Sequence, residues 1–294
     1  MFEQQLVNGF TLGLIYALIA VGYTMVYGVI ELINFAHGEI YMLGAFLTLT
    51  FISMGLPLPL AVLLAMLAVA GIGVLLDVVA YRPLREAPRL AALITAIGMS
   101  IFLQNLAMII WGSRPLPFPR QALPAFFNQP ALTFSDVTIS WMQMTIYVVA
   151  FVLMVGLNLI ITKTRTGTAM RALAQNRTAA ALMGINVNRV ISFTFALGSG
   201  MGAVAGVMVS MYYNTMYPTM GYLAGVKAFA AAVLGGIGSV PGAMLGGVVL
   251  GIAETLGAGY LSSPYRDGVA YAVMILVIIF RPSGFLGRSM VEKA

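Results

Sequence analysis

TKTRTGTAMRALAQNRTAAALMGINVNRV, residues 162–190, decides how the rest of the chain is read. It lies between two long apolar segments and carries Lys163, Arg165, Arg171, Arg177 and Arg189 without an acidic residue. From about Gly167 to Met183 it is built mainly of Ala, Arg, Leu, Gln and Met, the strong helix formers. Gly184 follows, where a helix C-terminus favours glycine. A charged, alanine-rich short helix between two membrane spans cannot sit in lipid, so it projects into water on one side of a bilayer. The expectation is a single slim, rigid rod that fits a groove on another protein. The plainer alternative is a basic loop that only sets topology.

Hydrophobic residues make up 61% of the 294 positions and charged residues 8%. Mean hydropathy is +0.97. These values exclude a soluble globular domain and point to an all-α polytopic membrane protein. Continuous apolar runs of helical length exclude a barrel, whose strands alternate over about ten residues. The 32 glycines suit close helix packing, and the absence of cysteine leaves no disulfide framework or thiolate metal site.

The net charge of +6 is read from its distribution, not as a nucleic-acid signal. Basic residues gather at Arg82, Arg85 and Arg89, in the 163–189 segment, and in the tail at Arg281, Arg288 and Lys293. Those three places are expected on the cytoplasmic side. Arg114, Arg120 and Arg266 then face outward. The N-terminal MFEQQ lacks a positive n-region and a cleavage site, so the first span is expected to be retained.

Spans are expected over about 7–33, from the 34–39 break to near Met54, then 60–81, 90–111, 141–162, 190–213, 244–261 and 269–280. Residues 222–234 are too short to cross about 30 Å of hydrocarbon unaided. The result is about eight or nine spans with one or two broken or re-entrant segments, nine placing the N-terminus outside. The whole chain, 1–294, reads as one transmembrane domain. Residues 112–140, rich in proline and bracketed by Trp111 and Trp141, form an outer loop. A weak internal likeness links FAHGEIYMLGAF (35–46) with LAGVKAFAAAVL (223–234); transporters are often inverted repeats with broken helices at matching positions.

Asn34, His37 and Glu39 sit at a helix break beside Gly38. They either line a translocation path or form an interfacial cap, with Asn34 as N-cap and His37 and Glu39 in headgroup water; the second reading is taken here. Lys227, inside an apolar segment, needs a partner, Glu39 or Glu254, unless it snorkels to the outer interface. Asp77 lies within reach of Arg82. In GGIGSVPGAMLGG (235–247), Gly235, Gly236, Gly238, Gly242 and Gly246 are read as a tight turn and a close helix crossing. No phosphate-binding loop is present, and neither catalytic nor metal-ligating residues are assigned. One histidine and scattered acids make an integral-membrane enzyme the weakest class. A secondary transporter would carry an ion site in its broken helices and would not need the basic rod.

Ala174, Ala179–Ala180 and Gly184–Ile185 resemble the coupling loop of ABC importer permeases. INFAHGEIYMLGAF (33–46), YRPLR (81–85), LITAIGMSIFLQN (93–105), AAVLGGIGSVPGAMLGG (231–247) and RPSGFLG (281–287) resemble, in this order, the LivH-type permeases of branched-chain amino acid ABC importers. The resemblance covers essentially the whole chain. It implies the ABC importer permease fold in a bacterial inner membrane, with a cytoplasmic C-terminus. It also implies a LivM-type permease partner, two cytoplasmic ATP-binding subunits and a periplasmic binding protein delivering leucine, isoleucine or valine; urea and short amides are carried by close relatives. ATP is held by the partner subunits, with no cofactor in this chain. Arg171, Ala174, Gln175, Ala179, Ala180 and Gly184 are the implied ATPase-coupling residues, in a loop bounded at 163–190.

Overall fold

The computed structural model describes residues 1–30, 32–85, 87–134, 137–281 and 283–287. Glu31, Pro282, Arg288 and Lys293, and the side chain of Arg89, which enter the expectations above, lie outside the described part. Among the described residues the chain is helical: α1 Phe2–Ile30, α2 His37–Ser53, α3 Leu58–Leu76, α4 Arg89–Trp111, α5 Trp141–Lys163, α6 Arg165–Gln175, α7 Arg177–Leu182, α8 Val187–Tyr213, α9 Met220–Gly235, α10 Val240–Tyr260 and α11 Arg266–Phe280. A π-helical turn, Asp77–Tyr81, continues α3. The exception to helix is in the 112–140 loop, where β1 Pro130–Phe134 pairs antiparallel with β2 Val137–Ser140.

Seven segments are long and apolar enough to cross a bilayer. They include α1, α4, α5, α8 and α10. The α2 and α9 helices are shorter, at 17 and 16 residues, and both begin inside the bundle. His37 lies against Gly22 of α1. That is eight residues before the end of α1, or about 12 Å of helix. Residues 32–36 therefore turn back into the protein before α2 runs outward. Similarly, residues 214–219 enter from the opposite face before α9 begins.

The two faces are distinct. Gln4 bonds to the backbone of Thr138, and Phe2 packs 6.4 Å from Tyr260, which groups the N-terminus, the β-hairpin and the α10–α11 turn on one face. At the other face, Gly28 approaches Gly238, Phe285 and Leu286 donate to the carbonyls of Leu234 and Gly235, and α6 and α7 connect α5 to α8. Phe2 and Phe285 thus lie at opposite faces, which is the nine-segment arrangement. Both short segments are broken spans, not re-entrant hairpins.

Packing follows an exchange pattern. The first four helices and the last four swap partners: α1 packs on α10 as α8 does on α3, and α2 packs on α8 as α9 does on α1. Corresponding helices point in opposite directions, so the halves form an inverted repeat flanking α5–α7. The α1–α10 crossing is close because it is made of glycine. A Cβ on Gly13 would lie 2.7 Å from Val248 Cα, and one on Gly251 would strike the backbone of Gly13. Small residues let backbones come together where lipid offers no hydrophobic drive to association.

The expected single rod is instead two helices. Asn176 is extended (φ −158°, ψ 109°), and its side chain accepts from Ala179 N at 2.9 Å. Asparagine bonds to its local backbone more readily than it continues a helix, so it ends α6 and caps α7. Thr164 likewise caps α6 by accepting from Gly167 N at 3.0 Å, starting it earlier than composition indicated. Gly184 closes α7 at φ +84°.

Replacing Gly13 by Leu is expected to destabilise the bundle by about 1–3 kcal/mol or more, as overpacking against backbone does. Gly98, with nothing near its missing Cβ, should accept Leu with little change. Thermal unfolding of the two variants in detergent checks the contrast.

Candidate functional site

At the face carrying α6 and α7, a two-helix elbow stands on the bundle. Gly167, Met170 and Leu173 are buried beneath α6. Arg171, Ala174, Gln175, Ala179 and Gly184 are exposed. Ala180 is not: it is buried at 4% exposure and anchors α7, so among the coupling residues named from sequence it faces inward. The tip is formed by Leu182 and Met183, 83% and 84% exposed, two large apolar side chains outside the spans. The sequence reading passed over them, although an apolar pair next to glycine in a basic segment is a visible signal for a contact surface.

In the centre, Asn34, His37 and Glu39 are 2%, 1% and 0% exposed. This overturns the interfacial-cap reading. Ala36 is the N-cap of α2, without a side-chain bond. Asn34 accepts from Tyr81 Oη at 2.7 Å, and Glu39 Oε1 accepts from Ser100 at 3.0 Å. The reading failed because it took the break to lie at the surface, whereas the chain turns back into the bundle. Gly38 meets Gly221 and Gly225 where α2 crosses α9. Tyr23 Oη, Thr24 Oγ1, His37 Nε2 and Glu39 Oε2 are buried there without protein partners. Such atoms are uncommon in native interiors, and four of them gather at this crossing. Beside it a narrow cleft, with room for about 10 Å³, is lined by Tyr23, Thr24, Tyr27, Ile33, Phe229, Ala232 and Ile237.

Lys227 does not snorkel, and Glu39 is not its partner. Its ammonium lies 2.9 Å from Glu254 Oε1 and 2.5 Å from Asp267 Oδ1. Arg266 reaches the same Glu254 oxygen at 2.5 Å and donates to Tyr213 Oη at 2.6 Å, while Tyr16 Oη donates to Glu254 at 3.2 Å. Two cations and two carboxylates thus tie together α1, α8, α9, α10 and α11. Sequence pointed to Lys227 and Glu254 but missed Arg266 and Asp267, which only the α10–α11 turn brings back onto α9.

A second buried ion cluster occupies the opposite half. Asp77, fully buried, accepts from Arg85 at 2.5 Å and from Ser192 Oγ at 2.6 Å, with Arg82 at 3.7 Å. Arg85 also donates to Asn188 at 2.5 Å. Each half of the repeat therefore places an acid late in its third helix under an arginine from the turn that follows. Of the glycines in 235–247, Gly236 and Gly238 have positive φ in the α9–α10 turn. Gly235 and Gly242 abut each other's backbone, and Gly246 abuts Ala231. Among the described residues, no group of three or more His, Cys, Asp or Glu side chains could hold a metal.

Removing one partner from a buried ion cluster leaves the other uncompensated. Glu254→Ala is expected to cost about 3–5 kcal/mol, and Lys227→Met clearly less because Glu254 keeps Arg266. Thermal midpoints of the two purified variants check the order.

The family model for the branched-chain amino acid transport system permease component matches residues 5–278. The chain is 51% identical to the high-affinity branched-chain amino acid transport system permease protein BraD of Pseudomonas aeruginosa, covering 99% of this chain and 98% of that one. It is 47% identical to the LivH permease proteins of Salmonella typhimurium and Escherichia coli, covering 99% and 97%. The chain belongs to the branched-chain amino acid transport permease family.

Proposed function

We propose that this chain is one permease subunit of an ATP-driven importer for leucine, isoleucine and valine. It works beside a second, LivM-type permease, two ATP-binding subunits on the cytoplasmic side and a periplasmic binding protein. Near-full-length similarity to proteins named as high-affinity branched-chain amino acid permeases supports the substrate class. The observation that carries the mechanism is the elbow. It stands clear of the spans, presents Ala174, Gln175, Ala179, Leu182 and Met183 outward, and has open space around Gly184. Arg82, Arg85, Lys163, Arg165, Arg171, Arg177, Arg189 and Arg281 lie at the elbow's end of the bundle, and the positive-inside rule makes that side cytoplasmic in the cell inner membrane. The β-hairpin face is then periplasmic.

The chain itself performs no covalent chemistry. Closure of the ATP-binding pair displaces the elbow, and the bundle shifts between outward- and inward-open arrangements. Substrate choice rests largely with the binding protein. The basic elbow would have no use in an ion-driven carrier.

The four-subunit complex in proteoliposomes should take up labelled leucine only with ATP and binding protein. Uptake driven by an ion gradient without nucleotide would sink the proposal. Ala179→Glu, which puts a charge on the outward face of α7, should lower leucine uptake per ATP hydrolysed by about tenfold or more while membrane insertion persists. Gly184→Val forces a β-branched residue to positive φ and strains the elbow by about 1–3 kcal/mol. Limited proteolysis should therefore cut that variant at residues 176–186 before the wild type.

A further inference from the structure

The elbow leads into α8, and the first turns of α8 are bonded to something specific. Asn188 and Ser192 are four residues apart and share a face of that helix. Arg85 bridges Asn188 to Asp77, and Ser192 donates to the other oxygen of the same carboxylate. Asp77 opens the π-helical turn that ends at Tyr81. Single π turns are frequent at functional sites. Tyr81, 1% exposed, donates its hydroxyl to Asn34 at 2.7 Å. Asn34 belongs to the non-helical stretch entering α2, and its carbonyl accepts from His37 N at 3.0 Å. From there Gly38 rests on Gly221 and Gly225 of α9.

These contacts are continuous from the elbow to the centre of the inverted repeat. From Asp77 inward they pass through polar groups, Asp77, Tyr81 and Asn34, that burial makes costly to leave unmatched. The π turn and the broken start of α2 are also the places along the route where backbone geometry departs from ordinary α-helix, so they can change without breaking a regular ladder. We propose that Arg85, Asp77, Tyr81 and Asn34 are positioning residues that pass the displacement of the α6–α7 elbow to the α2–α9 crossing. The inference rests on the reading of the elbow as the coupling segment. In it, a shift of the start of α8 drags Asp77 through Arg85 and Ser192. The π turn then rotates Tyr81, and Tyr81 moves the peptide on which α2 starts.

The test is the stoichiometry of transport in the reconstituted four-subunit complex: leucine imported per ATP hydrolysed, with binding protein present. Tyr81→Phe removes one hydroxyl and keeps the ring against Phe195, 5.3 Å away, so folding is preserved. It should retain ATP hydrolysis and lower leucine per ATP by about five- to tenfold, the scale of a single coupling. Arg85→Lys should do the same. Asn34→Ala combined with Tyr81→Phe should be no worse than either alone, as expected of two members of one bond. Asn105→Ala, at an exposed position of α4 away from both the elbow and this route, should leave the ratio unchanged. An unchanged ratio in Tyr81→Phe and Arg85→Lys overturns the inference, as does a proportional fall of hydrolysis and uptake. If wild-type uptake is itself independent of ATP, the coupling reading has failed first, and the two failures are separable.

Discussion

Two helices that start inside the hydrocarbon depth impose the demand the rest of this molecule meets. The first N–H groups of a helix have no partner within it, and lipid supplies none. The starts of α2 and α9 must therefore be wrapped in protein. The turn over 34–37 closes on itself, with His37 N bonded to Asn34 O and Glu39 N to Ala36 O. Met220 N is held by Tyr217 O. The two starts lie against one another through Gly38, Gly221 and Gly225, where side chains would hold the backbones apart. The α1 and α8 helices complete the wrapping and are the most deeply enclosed of the long helices.

Enclosure explains where the charges sit. A carboxylate in the interior is tolerated when cations and hydroxyls surround it, and Asp77 and Glu254 are each treated so. Their placement in opposite halves of the bundle follows from the inverted repeat: the same corner of the same three-helix unit appears once near each face. Each cluster joins helices from both halves, Asp77 linking α3 to α8 and Glu254 linking α10 to α1. They hold the halves together close to where each face would have to open.

The lipid side is plain by contrast. The α4, α5 and α11 helices expose Ile94, Ile109, Phe151, Val152, Ile279 and Phe280 and contribute few buried residues. The polar work is thus confined to a core of α1–α3 and α8–α10, to the turns that cap it, and to the elbow.

Membership in a polytopic helical class, the approximate span limits, the elbow's place in the chain and the sidedness pattern of its cations were legible from residue order. Hydropathy and basic-residue distribution are local properties that need no partner to be read. Cap chemistry was legible in principle too: Asn176 announces the break in the elbow, but alanine-rich composition on both sides masked it. The depth of Asn34, His37 and Glu39 was not legible, because a polar break reads alike whether the chain leaves the membrane or doubles back within it. The partners of Lys227, and the bond from Tyr81 to Asn34, join residues up to 47 positions apart. Those pairings exist only once antiparallel helices cross at glycine. Sequence by itself determined what kind of segment stands at each position, since that depends on a residue and its near neighbours. Tertiary structure alone decided which buried polar groups meet, since that depends on the register and depth at which distant helices pack.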